Sequence, residues 1–109
     1  MNQTLIVARM APGDAQEVAR IFADSDRTEL PGLVGVKRRS LFRFHDLYFH
    51  LIESRESLGG LAPEIRRHPL FQQVNSELEH FIEPYDPQTW RRPADAMAAR
   101  FYMWQSADA

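Results

Sequence analysis

The side chains best equipped for chemistry in this chain fall between Arg39 and Ile52. His50 carries an imidazole, the group whose charge changes near neutrality. Arg39 and Arg43 carry planar forks of N–H donors, and Tyr48 carries a phenol. Alternation brings them together. In Leu41-Phe42-Arg43-Phe44-His45-Asp46-Leu47-Tyr48-Phe49-His50-Leu51-Ile52-Glu53, aromatic and branched residues alternate with polar ones on both sides of His45-Asp46, the pattern of two β-strands joined by a tight turn. With those two residues as the loop, Phe44 faces Leu47, Arg43 faces Tyr48, Phe42 faces Phe49 and Leu41 faces His50. One face then holds Ser40, Phe42, Phe44, Leu47, Phe49, Leu51 and Glu53; the other holds Arg39, Leu41, Arg43, Tyr48, His50 and Ile52. The second face suits a cavity for a polar aromatic ligand better than a plain core. By residue type alone, a single histidine on a sheet face is more often structural than catalytic. The pairing also depends on register, since a slip of one residue would part Arg39 from His50.

The rest of the chain must hold that hairpin in place. At 109 residues it is expected to be a single domain, 1–109, with one core. Its 44% apolar and 26% charged residues are those of an ordinary globular protein, and seven Phe, three Tyr and two Trp supply much of the burial. The absence of cysteine excludes disulfides, thiolate chemistry and Cys-based metal sites. His45, His50, His68 and His80 are scattered over a turn, a strand, a helix start and a helix end, which gives no metal-ligand spacing. A net charge of -2 gives no general attraction to nucleic acid or anionic lipid. Lys37-Arg38-Arg39 resembles a basic patch, but alternation sends Arg38 to the opposite face. The opening run Met1 to Arg9 does not read as a signal peptide, and no stretch reads as a membrane span, so a cytoplasmic protein is expected.

Read in order, Thr4 to Met10 predicts a first strand, apolar on both faces as a central strand would be. Asp14 reads as an N-cap with Glu17 completing a capping-box arrangement, and Ala15, Val18, Ala19, Ile21 and Phe22 form the stripe of a helix ending near Asp24-Ser25-Asp26. Arg27 to Gly35 reads as a loop with a turn at Pro31-Gly32, placing Asp26 and Thr28 at the mouth of whatever the sheet and helices enclose. The hairpin follows, then a polar stretch closing in Gly59-Gly60 and a short helix over about Pro63 to Arg67. A second long helix starts at His68-Pro69, with Leu70, Phe71, Val74, Leu78, Phe81 and Ile82 at helical spacing and Pro84 and Pro87 to stop it. A loop with Trp90, Arg91, Arg92 and Pro93 leads to a last strand over about Ala99 to Gln105. The order β-α-β-β-α-β predicts an α+β fold of the ferredoxin-like kind, a four-stranded antiparallel sheet with helices on one face. Since large apolar residues occupy both sides of the sheet, the uncovered side is expected to meet a second copy, giving a homodimeric α+β barrel.

Thr28-Glu29-Leu30-Pro31, the run from Arg38-Arg39 through Glu53, His68-Pro69-Leu70-Phe71, Pro84-Tyr85 and Phe101-Tyr102 with Trp104 together resemble the tetracenomycin F2 cyclase family of type II aromatic polyketide cyclases. The similarity covers nearly the whole chain. It implies a dimeric ferredoxin-like enzyme acting without metal or organic cofactor on an aromatic polyketide intermediate. The implied reaction is intramolecular aldol condensation, then dehydration and aromatisation, with transient contact to a polyketide synthase or acyl carrier protein. The residues around the family's pocket match Asp26, Arg39 and His50, while a His that members can carry just before that Asp is Ser25 here. For such chemistry His50 would be the base, Arg39 would hold an enolate or phenolate oxygen, and Asp26 would orient either. Asp26 reads equally well as a solvated carboxylate at a helix end. Tyr48, Arg43, Leu41, Ile52 and Thr28 complete the expected substrate-binding set. Two other readings fit a small dimeric ferredoxin-like protein: a cofactor-free monooxygenase of polyketide phenols, and a non-catalytic module that shapes the polyketide chain.

Overall fold

The computed structural model describes residues 1–58 and 61–108; the expected break at Gly59-Gly60 lies outside the described residues. Strand β1 (Asn2–Met10) is followed by a 3-10 turn (Pro12–Asp14), helix α1 (Ala15–Asp26) and a short helix α2 (Leu30–Val34). Then come the hairpin strands β2 (Val36–Phe44) and β3 (Leu47–Ser54), a single turn α3 (Pro63–Arg66), helix α4 (Pro69–Leu78) and strand β4 (Ile82–Pro84). The four strands form one antiparallel sheet in the order β2-β3-β1-β4, the ferredoxin-like arrangement. β1 is indeed an inner strand, and Tyr48, His50, Ile52 and Ser54 of β3 are buried on the helix-covered face. One cluster of the core joins Ala8 and Met10 to Val18, Phe22 and Tyr48; another joins Ile21 of α1 to Leu30 and to Val74 of α4.

The hairpin register is the one alternation dictates: Phe44 opposite Leu47, Arg43 opposite Tyr48, Phe42 opposite Phe49 and Leu41 opposite His50. Arg39 pairs with Ile52, so it lies diagonal to His50 on the same face. The turn is tight because His45 adopts a left-handed φ of 54°, while Asp46 ties it to β1 through the Met10 N–H to Asp46 carbonyl bond (2.9 Å) and the Arg9 ion pair (3.0 Å).

Three expectations are corrected. Asp14 does not cap α1 through its side chain: Pro12 starts a 3-10 turn that runs straight into the helix, leaving Asp14 with helical backbone angles, and the Glu17 carboxylate is taken by Arg20. Between Arg27 and Gly35, Leu30–Val34 is helical, started by Pro31 in its first turn and stopped by Gly35 at φ 87°. The third correction concerns the last strand. Helix α4 ends at Leu78, and Ile82–Pro84, read as the helix end, forms β4 against β1, with Met10 opposite Ile82 and Ala8 opposite Pro84. Phe81 and Ile82 fit helical spacing from Leu78, but β1 has a free edge within reach, and pairing it satisfies main-chain groups that a longer helix would leave bare. The stretch Ala99 to Gln105 adopts no regular element. Beyond the Met97 bridge to Ile6 and the Ala98 N–H bond to the Leu5 carbonyl (2.7 Å), it leaves the sheet with its aromatic side chains exposed.

Candidate functional site

Between the helix-covered face of the sheet and the helices lies a cavity of about 680 Å³. Sheet residues Ile6, Val36, Arg39, Tyr48, His50 and Ile52 form its floor. Phe22, Leu30, Val34, Phe71, Val74 and Leu78 wall it from the helices, and Trp90, Arg92, Pro93 and Met97 close over one side. Val36 and Arg39, three residues apart, share this floor because the ladder slips by one residue between Val36 and Arg38, a bulge that offsets the strand's alternation.

The polar centre is a chain of three side chains. Asp26, the last residue of α1, accepts from Arg39 Nη2 (2.9 Å to Oδ1) and from Nε (3.1 Å to Oδ2), so the fork grips the carboxylate edge-on. The next nitrogen, Nη1, donates to His50 Nε2 at 2.9 Å. Phe22 seats both partners, with the guanidinium carbon 4.7 Å from its ring centroid and the imidazole edge-to-face at 4.9 Å. A guanidinium has five N–H groups, of which three are used here, so Nη1 and Nη2 keep one each.

This contact fixes the state of His50. Burial, and secondarily the Arg39 charge, push its pKa from 6.5 down to about 3. The ring is therefore neutral at physiological pH, and because Nε2 accepts from Arg39 the proton sits on Nδ1. An imidazole titrating near neutrality, the expectation from sequence, is not what this environment produces. Tyr48 is likewise held protonated: burial raises its pKa, against a smaller opposing effect of Arg39. Neither the Tyr48 hydroxyl nor His50 Nδ1 has a protein partner among the described residues, neither is an orphaned buried atom, and both residues line the cavity. The result is an array of donors, from Arg39, His50 and Tyr48, on the floor of an otherwise apolar chamber.

Against this geometry, the sequence of the polyketide synthesis cyclase family matches residues 2–105. The chain belongs to that family. An uncharacterized protein of Streptomyces coelicolor is 54% identical to the chain, covering 100% of it and 99% of the relative. The polyketide synthase CurG of Streptomyces cyaneus is 49% identical, over 96% of this chain and 98% of its own. The tetracenomycin F2 cyclase of Streptomyces glaucescens is 47% identical, over 97% and 96%. The solved structure of that last protein, described as a type-II polyketide cyclase, superposes with a TM-score of 0.89 at 46% identity, covering 97% of this chain and 99% of the other.

Of the residues the sequence singled out, Arg39, Tyr48, His50 and Ile52 line the cavity of this cyclase, and Asp26 stands behind Arg39. The other three are placed elsewhere. Arg43 is exposed near the turn, Leu41 packs against the core cluster, and the Thr28 hydroxyl donates to the Ser25 carbonyl (2.6 Å) and accepts from the Leu30 N–H (3.2 Å), securing the turn after α1. Thr28 borders a separate hollow of about 230 Å³ between α1 and α4. Arg43 and Leu41 share the face of His50 by alternation, but Arg43 lies exposed beside the turn, and Leu41 is taken up by the core cluster that contains Val18 and Phe22 of α1. Sequence reasoning missed Phe22 as the seat of the array, because it reads as one more core residue of the α1 stripe. It missed Arg66 because a single helical turn is too short for periodicity to aim its side chains, and Trp90 and Arg92 because the loop after β4 carries none. Among the described residues, no three His, Asp or Glu side chains come together as metal ligands.

Proposed function

We propose that this chain is an aromatic polyketide cyclase that closes a ring of a poly-β-ketone intermediate by intramolecular aldol condensation, followed by dehydration and aromatisation. The observation that carries the reading is the donor array of Arg39, His50 and Tyr48 on the floor of an apolar-walled cavity. A carbon between two carbonyls is already acidic, so its proton can pass to solvent if the enolate oxygen is stabilised. The free N–H groups of Arg39 do that. As the new carbon–carbon bond forms, the attacked ketone oxygen gains negative charge and takes a hydrogen bond from His50 Nδ1–H or the Tyr48 hydroxyl. Protonated, it becomes the hydroxyl that leaves as water when the adjacent carbon gives up a proton and the ring aromatises. Asp26 keeps Arg39 in place and neutralises its charge in the unliganded site. The apolar walls hold a flexible chain in one fold, and such positioning can supply about 7 to 11 kcal/mol in ideal cases.

The same reading includes a homodimer. The uncovered sheet face presents Leu5, Val7, Leu47, Phe49 and Leu51, partly buried, beside Phe42 and Phe44, which are 54% and 62% exposed. In the tail, Phe101, Tyr102, Met103 and Trp104 are 60–99% exposed. A second copy would cover both. No helix is long and apolar enough to cross a membrane among the described residues, and we place the enzyme in the cytoplasm.

The test is incubation of the purified protein with a linear or partly cyclised polyketide, in air and under anaerobic conditions, with products read by mass. The expected product is ring-closed, lighter by water and independent of dioxygen. Oxygen gained only in air would point to the monooxygenase, and no turnover in either condition to a non-catalytic partner. Arg39→Ala and His50→Ala are each expected to lower turnover about a hundredfold or more, as loss of an oxyanion donor does elsewhere. Wild-type rates in both variants would remove the array from the mechanism.

A further inference from the structure

Three arginines line the cavity: Arg39, Arg66 and Arg92. Arg39 is committed to Asp26 and His50. Elsewhere, Arg9, Arg20, Arg27 and Arg38 have carboxylate partners, and Arg55, Arg67 and Arg91 donate to main-chain carbonyls. Arg43, exposed near the hairpin turn, and Arg100, which donates to the Gln3 side chain, lie outside the cavity; of the arginines that line it, Arg66 and Arg92 do neither among the described residues. They occupy exposed positions of the wall, Arg66 as the last residue of α3 and Arg92 directly before the 3-10 turn Pro93–Ala96. The acid nearest Arg92 in sequence, Asp95, is used on the main chain, accepting from the Arg91 N–H (2.7 Å) and the Arg92 N–H (3.0 Å), and Glu64, the acid nearest Arg66, forms no ion pair with it among the described residues. That pins the backbone carrying Arg92 and leaves its guanidinium unclaimed. Glu79 also borders the cavity, but among the described residues it pairs with neither arginine.

We infer that Arg66 and Arg92 form an anion-binding site at the mouth of the cavity, which holds a carboxylate carried by the aromatic ligand. The identity of that ligand rests on the function proposed above. The cavity then has two poles separated by apolar wall: the donor array on the floor meets carbonyl oxygens, and the paired cations at the mouth meet the acid. A planar guanidinium fork matches a carboxylate in a bidentate contact. This polarity sets which end of the ligand enters first, and so which carbonyls reach Arg39 and His50.

Binding of 6-hydroxy-2-naphthoate and of its neutral amide to the full-length protein, measured by calorimetry at low and at physiological salt, tests this without turnover. The acid is expected to bind about tenfold more tightly than the amide, as for a modest charge-assisted contact, and the preference should shrink as salt rises. The double variant Arg66→Gln/Arg92→Gln should bind both alike, while Arg66→Lys/Arg92→Lys keeps part of the preference; circular dichroism checks that both are folded. Equal binding of acid and amide to the wild type, or a preference unchanged in the Gln variant, overturns the site. Tighter binding of 4′-phosphopantetheine than of the naphthoate, lost in the Gln variant, would overturn the carboxylate in favour of a carrier-protein arm. Acid preference without cyclisation would leave the site standing and remove the proposed function. Cyclisation without acid preference would do the reverse.

Discussion

His50 shows how one contact decides what a side chain can do. Its Nε2 accepts from Arg39 and its pKa is lowered to about 3, so the ring is neutral at physiological pH, and in the proposed mechanism it donates through Nδ1 and is not the base. The rate of ring closure is therefore expected to show no loss from His50 protonation between pH 7 and pH 5. A base of ordinary pKa 6.5 would lose about twentyfold over that interval. His50→Asn, which keeps an N–H near the Nδ1 position, should retain more activity than His50→Ala. The same group affects stability. The unfolded chain takes a proton on His50 below about pH 6.5, whereas the folded protein resists it down to about pH 3. Its contribution is thus complete above the unfolded pKa and lost as pH falls, with a limiting slope of about 1.4 kcal/mol per pH unit. Chemical denaturation of wild type and His50→Gln between pH 7 and pH 4.5 measures it; equal slopes for the two proteins would mean that His50 is protonated as readily folded as unfolded.

At the scale of elements, the site depends on irregularities more than on the strands themselves. Gly35 ends α2 in the left-handed region, its N–H bonding the Pro31 carbonyl at 2.8 Å and its carbonyl accepting from the Arg55 N–H at 3.0 Å. It turns the chain directly into β2, whose bulge then brings Val36 and Arg39 onto one floor. A Cβ at Gly35 would meet only the Arg55 side chain at an ordinary 3.6 Å, so the cost of Gly35→Ala is conformational. The variant is expected to lose about 1 kcal/mol or somewhat more, read as a lower denaturation midpoint. No measurable loss would mean that the chain can enter β2 by another path. The α2 helix itself was visible in principle, since proline at its start and glycine after its end are the ordinary helix boundaries. Five residues, however, are too few for periodicity to register.

For the whole molecule, the tail poses the main question of assembly. Phe101 is 99% exposed and Trp104 73%, side chains whose burial stabilises by about 1.5 to 3 kcal/mol each. With the apolar outer face of the sheet, they lead us to expect a dimer by analytical ultracentrifugation at micromolar concentration. Truncation after Ala98 should weaken it by a hundredfold or more in dissociation constant, about 2.7 kcal/mol. A monomeric wild type would remove the dimer, and an undiminished truncated dimer would remove the tail from the interface.

The order of elements, the hairpin register and the meeting of Arg39 with His50 were legible in the sequence, because strand alternation and a two-residue turn fix which side chains share a face. Alternation is a local rule, and it holds wherever the chain stays in one element. The identity of the fourth strand was not legible, since Phe81 and Ile82 satisfy helical spacing until a free edge of β1 offers them partners from far along the chain. Nor was the protonation state of His50, which depends on the burial and the guanidinium that packing supplies. The lining by Phe22, Arg66, Trp90 and Arg92 was hidden for the same reason: only tertiary structure brings α1, α3 and the loop after β4 over one face of the sheet. The sequence by itself therefore determined which chemical groups face one another across the hairpin, and the packed fold decided which of them is charged, which is free and what encloses them.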